Sequence, residues 1–102
     1  MEEKLINKDN GYLQVVLVDD CDFQLFYELA DYAERELNFT FTKVDDIDSL
    51  YYSFKYDAIG FILSYHVYFG IKLEFVDKRN NSQQCEDIMR RLANILLKAL
   101  KT

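Results

Sequence analysis

Large apolar side chains alternate with small or polar ones most strictly from Leu50 to Val76, LYYSFKYDAIGFILSYHVYFGIKLEFV. Leu50, Tyr52, Phe54 and Tyr56, then Ile59, Phe61, Leu63 and Tyr65, then Phe69, Ile71, Leu73 and Phe75 fall at every second position. A period of two in β-branched and aromatic residues predicts three consecutive antiparallel strands with one buried face. A two-residue turn at Asp57-Ala58 sets Tyr56 opposite Ile59 and Phe54 opposite Phe61. A three-residue connection over His66 to Tyr68 sets Leu63 opposite Ile71 and Phe61 opposite Leu73. Both registers gather the large side chains on one side, as a buried face requires. The other side shows Tyr51, Ser53, Lys55, Gly60, Ile62, Ser64, His66, Gly70, Lys72 and Glu74. Most of these are small or polar, so that side is either solvated or a docking surface.

The flanking segments read as one further strand on each side of a helix, and a second helix at the end. Tyr12 to Val18 is a continuous apolar run, which predicts an interior strand. Asp19-Asp20-Cys21-Asp22 stops it and offers helix caps, with acidic charge suited to a helix N-terminus. The spacing of Phe26, Leu29, Ala30, Ala33 and Leu37 predicts a helix from about Asp22 to Leu37. Its outer face carries Glu28, Asp31, Glu34 and Glu36, relieved only by Arg35. Asn38 stops the helix, Phe39 to Val44 is a predicted strand, and Asp45-Asp46-Ile47-Asp48-Ser49 is an acidic turn. After a polar connection, Asn81 or Ser82 caps a helix from roughly Gln83 to Leu100. Cys85, Ile88, Met89, Leu92, Ala93, Leu96, Ala99 and Leu100 form its buried stripe, with Arg90, Arg91, Lys98 and Lys101 opposite. The order β-α-β-β-β-β-α belongs to the α+β class, a mainly antiparallel sheet with two helices packed on one face. With 102 residues, no proline and three glycines, residues 1–102 form a single domain without a flexible linker.

Charge narrows the choice of partner. The net charge is −6, and it is unevenly spread. Residues 1–60 carry 14 acidic and 5 basic side chains, a net of −9, while residues 61–102 carry 4 acidic and 7 basic, a net of +3. Nucleic acid and anionic membranes need a basic footprint, so neither is expected as a partner. No apolar run approaches the roughly 20 residues of a membrane helix. The charged start MEEKLINKDNG lacks an apolar signal core, so cytoplasmic residence is expected. Cys21 and Cys85 stand in no metal-binding spacing, and reduced thiols are expected, a disulfide between them being left open by the sequence. There is no glycine-rich phosphate loop, no GxSxG and no HExxH. No catalytic residue, metal or cofactor is therefore predicted. His66, the one histidine, has no evident nucleophile or carboxylate beside it in sequence and reads as a hairpin residue rather than a general base.

Some stretches resemble known families. VVLVDD resembles the opening of bacterial response-regulator receiver domains, where a strand ends in paired acids that help to hold Mg²⁺. YDAIGFILSY resembles the receiver strand bearing the phosphoacceptor aspartate, with Ser64 standing at the matching place. The Thr/Ser strand and the strand-end Lys of receivers have no counterpart, and the chain is too short for the remaining βα unit. That resemblance implies metal-dependent or degenerate signalling through Asp19 and Asp20. The plainer reading of the same acids is helix capping and a solvated loop. YSFKYDAIGFILSYHVYFGIKLEF resembles a small uncharacterised family of bacterial α+β proteins in which an aromatic meander follows an acidic strand and helix. The likeness spans residues 12–97 and implies architecture only. In size, acidity and want of catalytic residues the chain is also similar to the immunity proteins that neutralise bacterial toxins.

The leading expectation is a non-enzymatic, acidic protein-binding module, an immunity-type inhibitor that occludes a basic toxin or nuclease. Asp19, Asp20, Asp22, Asp45, Asp46 and Asp48 are its expected contacts. Tyr51 and Tyr68 join them because both fall off the core face and Tyr is enriched at interfaces. The rivals are the metal-dependent or receiver-like domain using Asp19 and Asp20, and a homodimeric structural protein joined through the open sheet face or an edge strand.

Overall fold

The structure, a computed structural model, describes residues 6–9, 12–77, 79–80 and 82–100. Its elements are β1 (Ile6–Asp9), β2 (Tyr12–Val18), α1 (Phe23–Glu36), β3 (Thr42–Asp45), β4 (Ser49–Tyr56), β5 (Ile59–His66), β6 (Gly70–Phe75) and α2 (Gln83–Leu100). The expected order β-α-β-β-β-β-α is present, with one short strand added before it. The strands lie in the order β1-β2-β6-β5-β4-β3, and every neighbouring pair is antiparallel. Receiver domains wind a parallel sheet with helices on both faces, so the receiver-like alternative does not describe this fold. β2 is interior, as its apolar run implies, between β1 and β6. β1 has the sequence INKD, with no alternation to announce it, and it joins through backbone pairing of Ile6 with Val15 and Asp9 with Tyr12.

The helices end where their caps dictate. Asp22 accepts the Leu25 N–H at 3.1 Å, and Ser82 Oγ accepts the Cys85 N–H at 3.2 Å; each bond satisfies a donor that a helix start leaves open. Asn81 and Lys101 lie outside the described residues. Asn38 takes φ 60°, the left-handed stop open to asparagine. The buried stripes are Phe26, Leu29, Ala30 and Ala33 on α1, and Ile88, Met89, Leu92, Ala93, Leu96 and Leu97 on α2. Leu97 widens the expected stripe, while Cys85, Ala99 and Leu100 pack at its margin. Both stripes meet one sheet face, where a chain of rings runs through the core. Phe26 lies edge-on to Tyr52 at 4.9 Å, and Phe61 packs on Phe54 at 5.9 Å and on Phe75 at 4.9 Å between ring centroids. Such pairs add about 0.5–1.5 kcal/mol each beyond their burial.

In the meander, one register matches the expectation and the other is displaced. Tyr56 faces Ile59 and Phe54 faces Phe61 across a turn in which Asp57 and Ala58 both have positive φ. That is the mirror-image turn whose twist suits a two-residue hairpin. Across the next hairpin, Phe61 pairs with Phe75, Leu63 with Leu73 and Tyr65 with Ile71, two residues away from the expected register. The loop is Val67 to Phe69, closed by the Phe69 N–H to the His66 carbonyl at 3.1 Å. Gly70 then adopts φ 75°, and a Cβ there would collide with the Val18 carbonyl. Only glycine accommodates both demands, so the loop closes at Gly70. Phe69, expected in the core, is consequently 60 % exposed.

The strand expected over Phe39–Val44 begins later, at Thr42. Phe39 and Phe41 instead dock their rings, Phe39 stacked on Phe54 at 4.7 Å and Phe41 near Tyr52 at 5.5 Å. Packing rather than a backbone ladder holds that segment.

Candidate functional site

Because β2 and β5 end, β6 and β4 begin, and β3 turns at the same edge of the sheet, three loops lie side by side there. They are the β2–α1 corner (residues 19–22), the β3–β4 turn (46–48) and the β5–β6 turn (67–69). The five strands from β2 to β3, spaced by about 4.8 Å, make this end roughly 20 Å wide. Contacts tie the loops to one another. The Val67 N–H bonds to the Asp48 carbonyl at 3.2 Å, the Tyr65 hydroxyl donates to the Cys21 carbonyl at 2.9 Å, and Gly70 packs on the backbone of Val18 and Asp19. Both Asp-rich stretches, far apart in sequence, thus arrive on one surface.

Asp19, Asp20, Asp22, Asp45, Asp46 and Asp48 are all exposed. Asp22 caps α1. Asp46 Oδ1 accepts the Ile47 N–H at 2.8 Å, shaping its turn. Asp48 receives the Ser49 hydroxyl at 3.2 Å on Oδ1 and faces His66 Nε2 at 3.6 Å with Oδ2. His66 Nδ1 accepts the Tyr68 N–H at 3.1 Å, so the neutral ring carries its proton on Nε2, toward Asp48. His66 thus links the tip of its own hairpin, through Tyr68, to the β3–β4 turn, through Asp48. The nearby acids also act on the half-buried Cys21 and the buried Tyr65. Burial and then the Asp22 and Asp20 charges raise the Cys21 thiol above its ordinary value. Burial, with Cys21 and the same aspartates behind it, raises the Tyr65 hydroxyl.

Between the carboxylates stand exposed apolar side chains. Ile47 is 96 %, Tyr68 78 % and Tyr51 42 % exposed, and Phe69 joins them. Tyr51 stands off the core by its position in β4, and Tyr68 by its place in the β5–β6 loop. Ile47 and Phe69 were missed: Ile47 sits in a turn too short to carry a period, and Phe69 was counted as core. Tyr68 and Phe69 share the hairpin tip, each beside the His66 ring at 5.5 and 4.8 Å, and exposed apolar area beside charged loops is the composition of an interaction surface.

The chain matches no family model, no curated protein and no solved structure. Among the described residues no group of three or more His, Cys, Asp or Glu is placed to hold a metal ion, and no helix is long and apolar enough to cross a membrane. A further depression, about 510 Å³ between Asn38, Thr42, Ser53, Lys55 and Val76, lies toward the opposite end of β4, and Lys55 is the one charged residue lining it among the described residues.

Proposed function

We propose that this chain is a non-enzymatic protein-binding module for a basic partner, acting as an immunity-type inhibitor that covers the working site of a toxin or nuclease. The observation that carries the reading is the strip at the sheet end, where the two Asp-rich loops flank the hairpin tip that bears the exposed Tyr68 and Phe69. Complementary charge draws a basic protein in and orients it, and the apolar tips supply the contact that excludes water. The corner and turn clusters sit farther apart than the Debye length of about 8 Å at physiological salt. A partner therefore gains from engaging both, which favours a broad basic face over a single charge.

The test uses a basic protein retained from the native host by the immobilised chain. Its association rate, followed by stopped flow, should fall about tenfold or more between low and physiological salt, the range typical of steered encounters. Replacing Asp45, Asp46 and Asp48 by Asn should slow association and flatten that salt dependence while leaving the circular dichroism unchanged. Lys98→Gln, on the far side of α2, should do neither. Association indifferent to salt and to the triple variant would refute the electrostatic role. A partner enzyme that stays fully active in the complex would refute occlusion.

A further inference from the structure

The open face of the sheet dips beside the acidic end. Ser64, small and only 4 % exposed, forms a floor around which Tyr51, His66, Phe69, Lys72 and Glu74 enclose a cleft of about 390 Å³. That is the small end of the range for ligand sites, about 300–1,000 Å³, and suits one long side chain. Two details give the cleft a chemical sign. Lys72 Nζ rests 5.9 Å from the centre of the Phe69 ring, so this ring face already accepts a cation. Ser64 donates to Glu74 Oε2 at 3.4 Å, and Glu74 Oε1 makes no hydrogen bond among the described residues. Lys72 and Glu74 are the charged residues lining the cleft, and Asp48 stands at its rim, 3.6 Å from His66 Nε2.

Resting on the reading of the sheet end as the docking surface for a basic protein, we infer that this cleft seats an arginine side chain of that partner. The guanidinium takes the place over Phe69 that Lys72 now holds, and its N–H groups meet the Glu74 carboxylate. Lys72, on a flexible stem, moves out to solvent. Arginine suits the site better than lysine because its planar group stacks on a ring and pairs with a carboxylate through two parallel hydrogen bonds. An incoming ammonium would only replace one ammonium by another.

Two synthetic peptides of equal length and charge serve as probes, one with arginine and the other with lysine at every basic position. They are titrated into the full chain at about 0.15 M salt, the physiological value, with fluorescence anisotropy giving affinities and amide shifts giving the site. The arginine peptide should bind about five- to tenfold tighter, the scale of a partly desolvated cation–π contact, and shift Ser64 and Phe69. Glu74→Gln and Phe69→Ala, both at exposed or half-exposed positions, should each erase most of that preference without loss of fold. Lys72→Gln should widen it, since the competing cation is gone. Replacing Asp45, Asp46 and Asp48 by Asn should weaken both peptides alike. Equal affinities, or a preference that survives both cleft variants, would overturn the arginine seat while leaving the acidic docking surface standing. Failure of both peptides to bind would overturn the two together.

Discussion

Gly70→Ala tests whether the acidic corner and the aromatic hairpin form one surface. At φ 75° a residue with a Cβ carries about 1–2 kcal/mol of backbone strain. The added methyl also meets the carbonyl of Val18 and the backbone of Asp19, none of which can rotate aside as a side chain does. Either β2 withdraws from β6 or the hairpin tip tilts. Both movements break pairing at Val18 and Ile71, next to the register shift that β2 already shows between Val16 and Val18. Losing one or two ladder hydrogen bonds costs about 0.5–1.5 kcal/mol each, bringing the total to about 2–5 kcal/mol. Against a whole-domain stability of about 5–15 kcal/mol that is severe, and at about 4–8 °C per kcal/mol the melting temperature should fall by about 10 °C or more.

Gly60→Ala is the matched control. Its Cβ would lie 3.2 Å from Val76 Cβ and Cγ2, a half-exposed side chain that can give way, and its φ is not positive. Less unfolded-chain entropy offsets part of the crowding, so the change should stay within about 1 kcal/mol. Urea unfolding of the two variants decides the matter, with hydrogen exchange reporting whether protection near Asp19–Asp22 falls in Gly70→Ala. Equal stabilities, or a loss under about 1 kcal/mol at Gly70, would mean that the corner does not rest on the hairpin and that the surface is two separate loops.

Two further outcomes follow from the packing and the charges. Phe61→Ala should cost about 3–5 kcal/mol in urea unfolding, because the ring is fully buried among Phe54, Tyr56 and Phe75, the usual range for a core phenylalanine; Ile62→Ala, on the open face, should cost far less, and equal losses would contradict the assigned faces. In a Cys85→Ser background, the alkylation rate of Cys21 should rise with pH around a midpoint above the ordinary thiol value, since burial and then Asp22 and Asp20 favour the neutral thiol. Asp20→Asn with Asp22→Asn should lower that midpoint while keeping the cap, because asparagine caps as well as aspartate. The raised thiol makes the fold's gain complete below the unfolded thiol value, about 8.5, and lost as pH climbs through the folded one, so stability should decline on the alkaline side. A Cys21 midpoint at or below the ordinary value would refute this.

How much of the fold could be read beforehand depends on what each pattern constrains. Helix α2 begins and ends where its stripe and Ser82 place it, and α1 differs from expectation only in counting its caps, because caps and periodicity are local. The β4–β5 register is equally local, set by a two-residue turn. The β5–β6 register is different. A slip of two residues keeps every side chain on its own face, so alternation cannot detect it, and only the turn chooses. What chose was the close approach of β2 to Gly70, a contact between residues distant in sequence. For the same reason the acids could be named singly but not as a group. Their meeting follows from β6 sitting between β2 and β5, which no local signal states. β1 escaped because its pairing is made by backbone and its four residues carry no pattern.

The acidic end also separates carboxylates that the fold uses from those it does not. Asp22 caps a helix, Asp46 shapes a turn, and Asp48 braces Ser49 and faces His66. The side chains of Asp20 and Asp45 make no hydrogen bond or ion pair among the described residues. Asp45 nevertheless adds to the field that, after burial, raises the Tyr52 hydroxyl. Exposed like charges crowded along about 20 Å repel one another and weaken the compact state. Capping alone would be served by asparagine or serine at no such cost. The excess of acid over what the caps and turns require is what the proposed basic partner would account for. The exposed rings of Tyr68 and Phe69 argue the same way, since polar residues would close that hairpin equally well. Exposed charge and exposed apolar area coincide at one end of the sheet, and that coincidence is what supports the proposal of a basic protein partner.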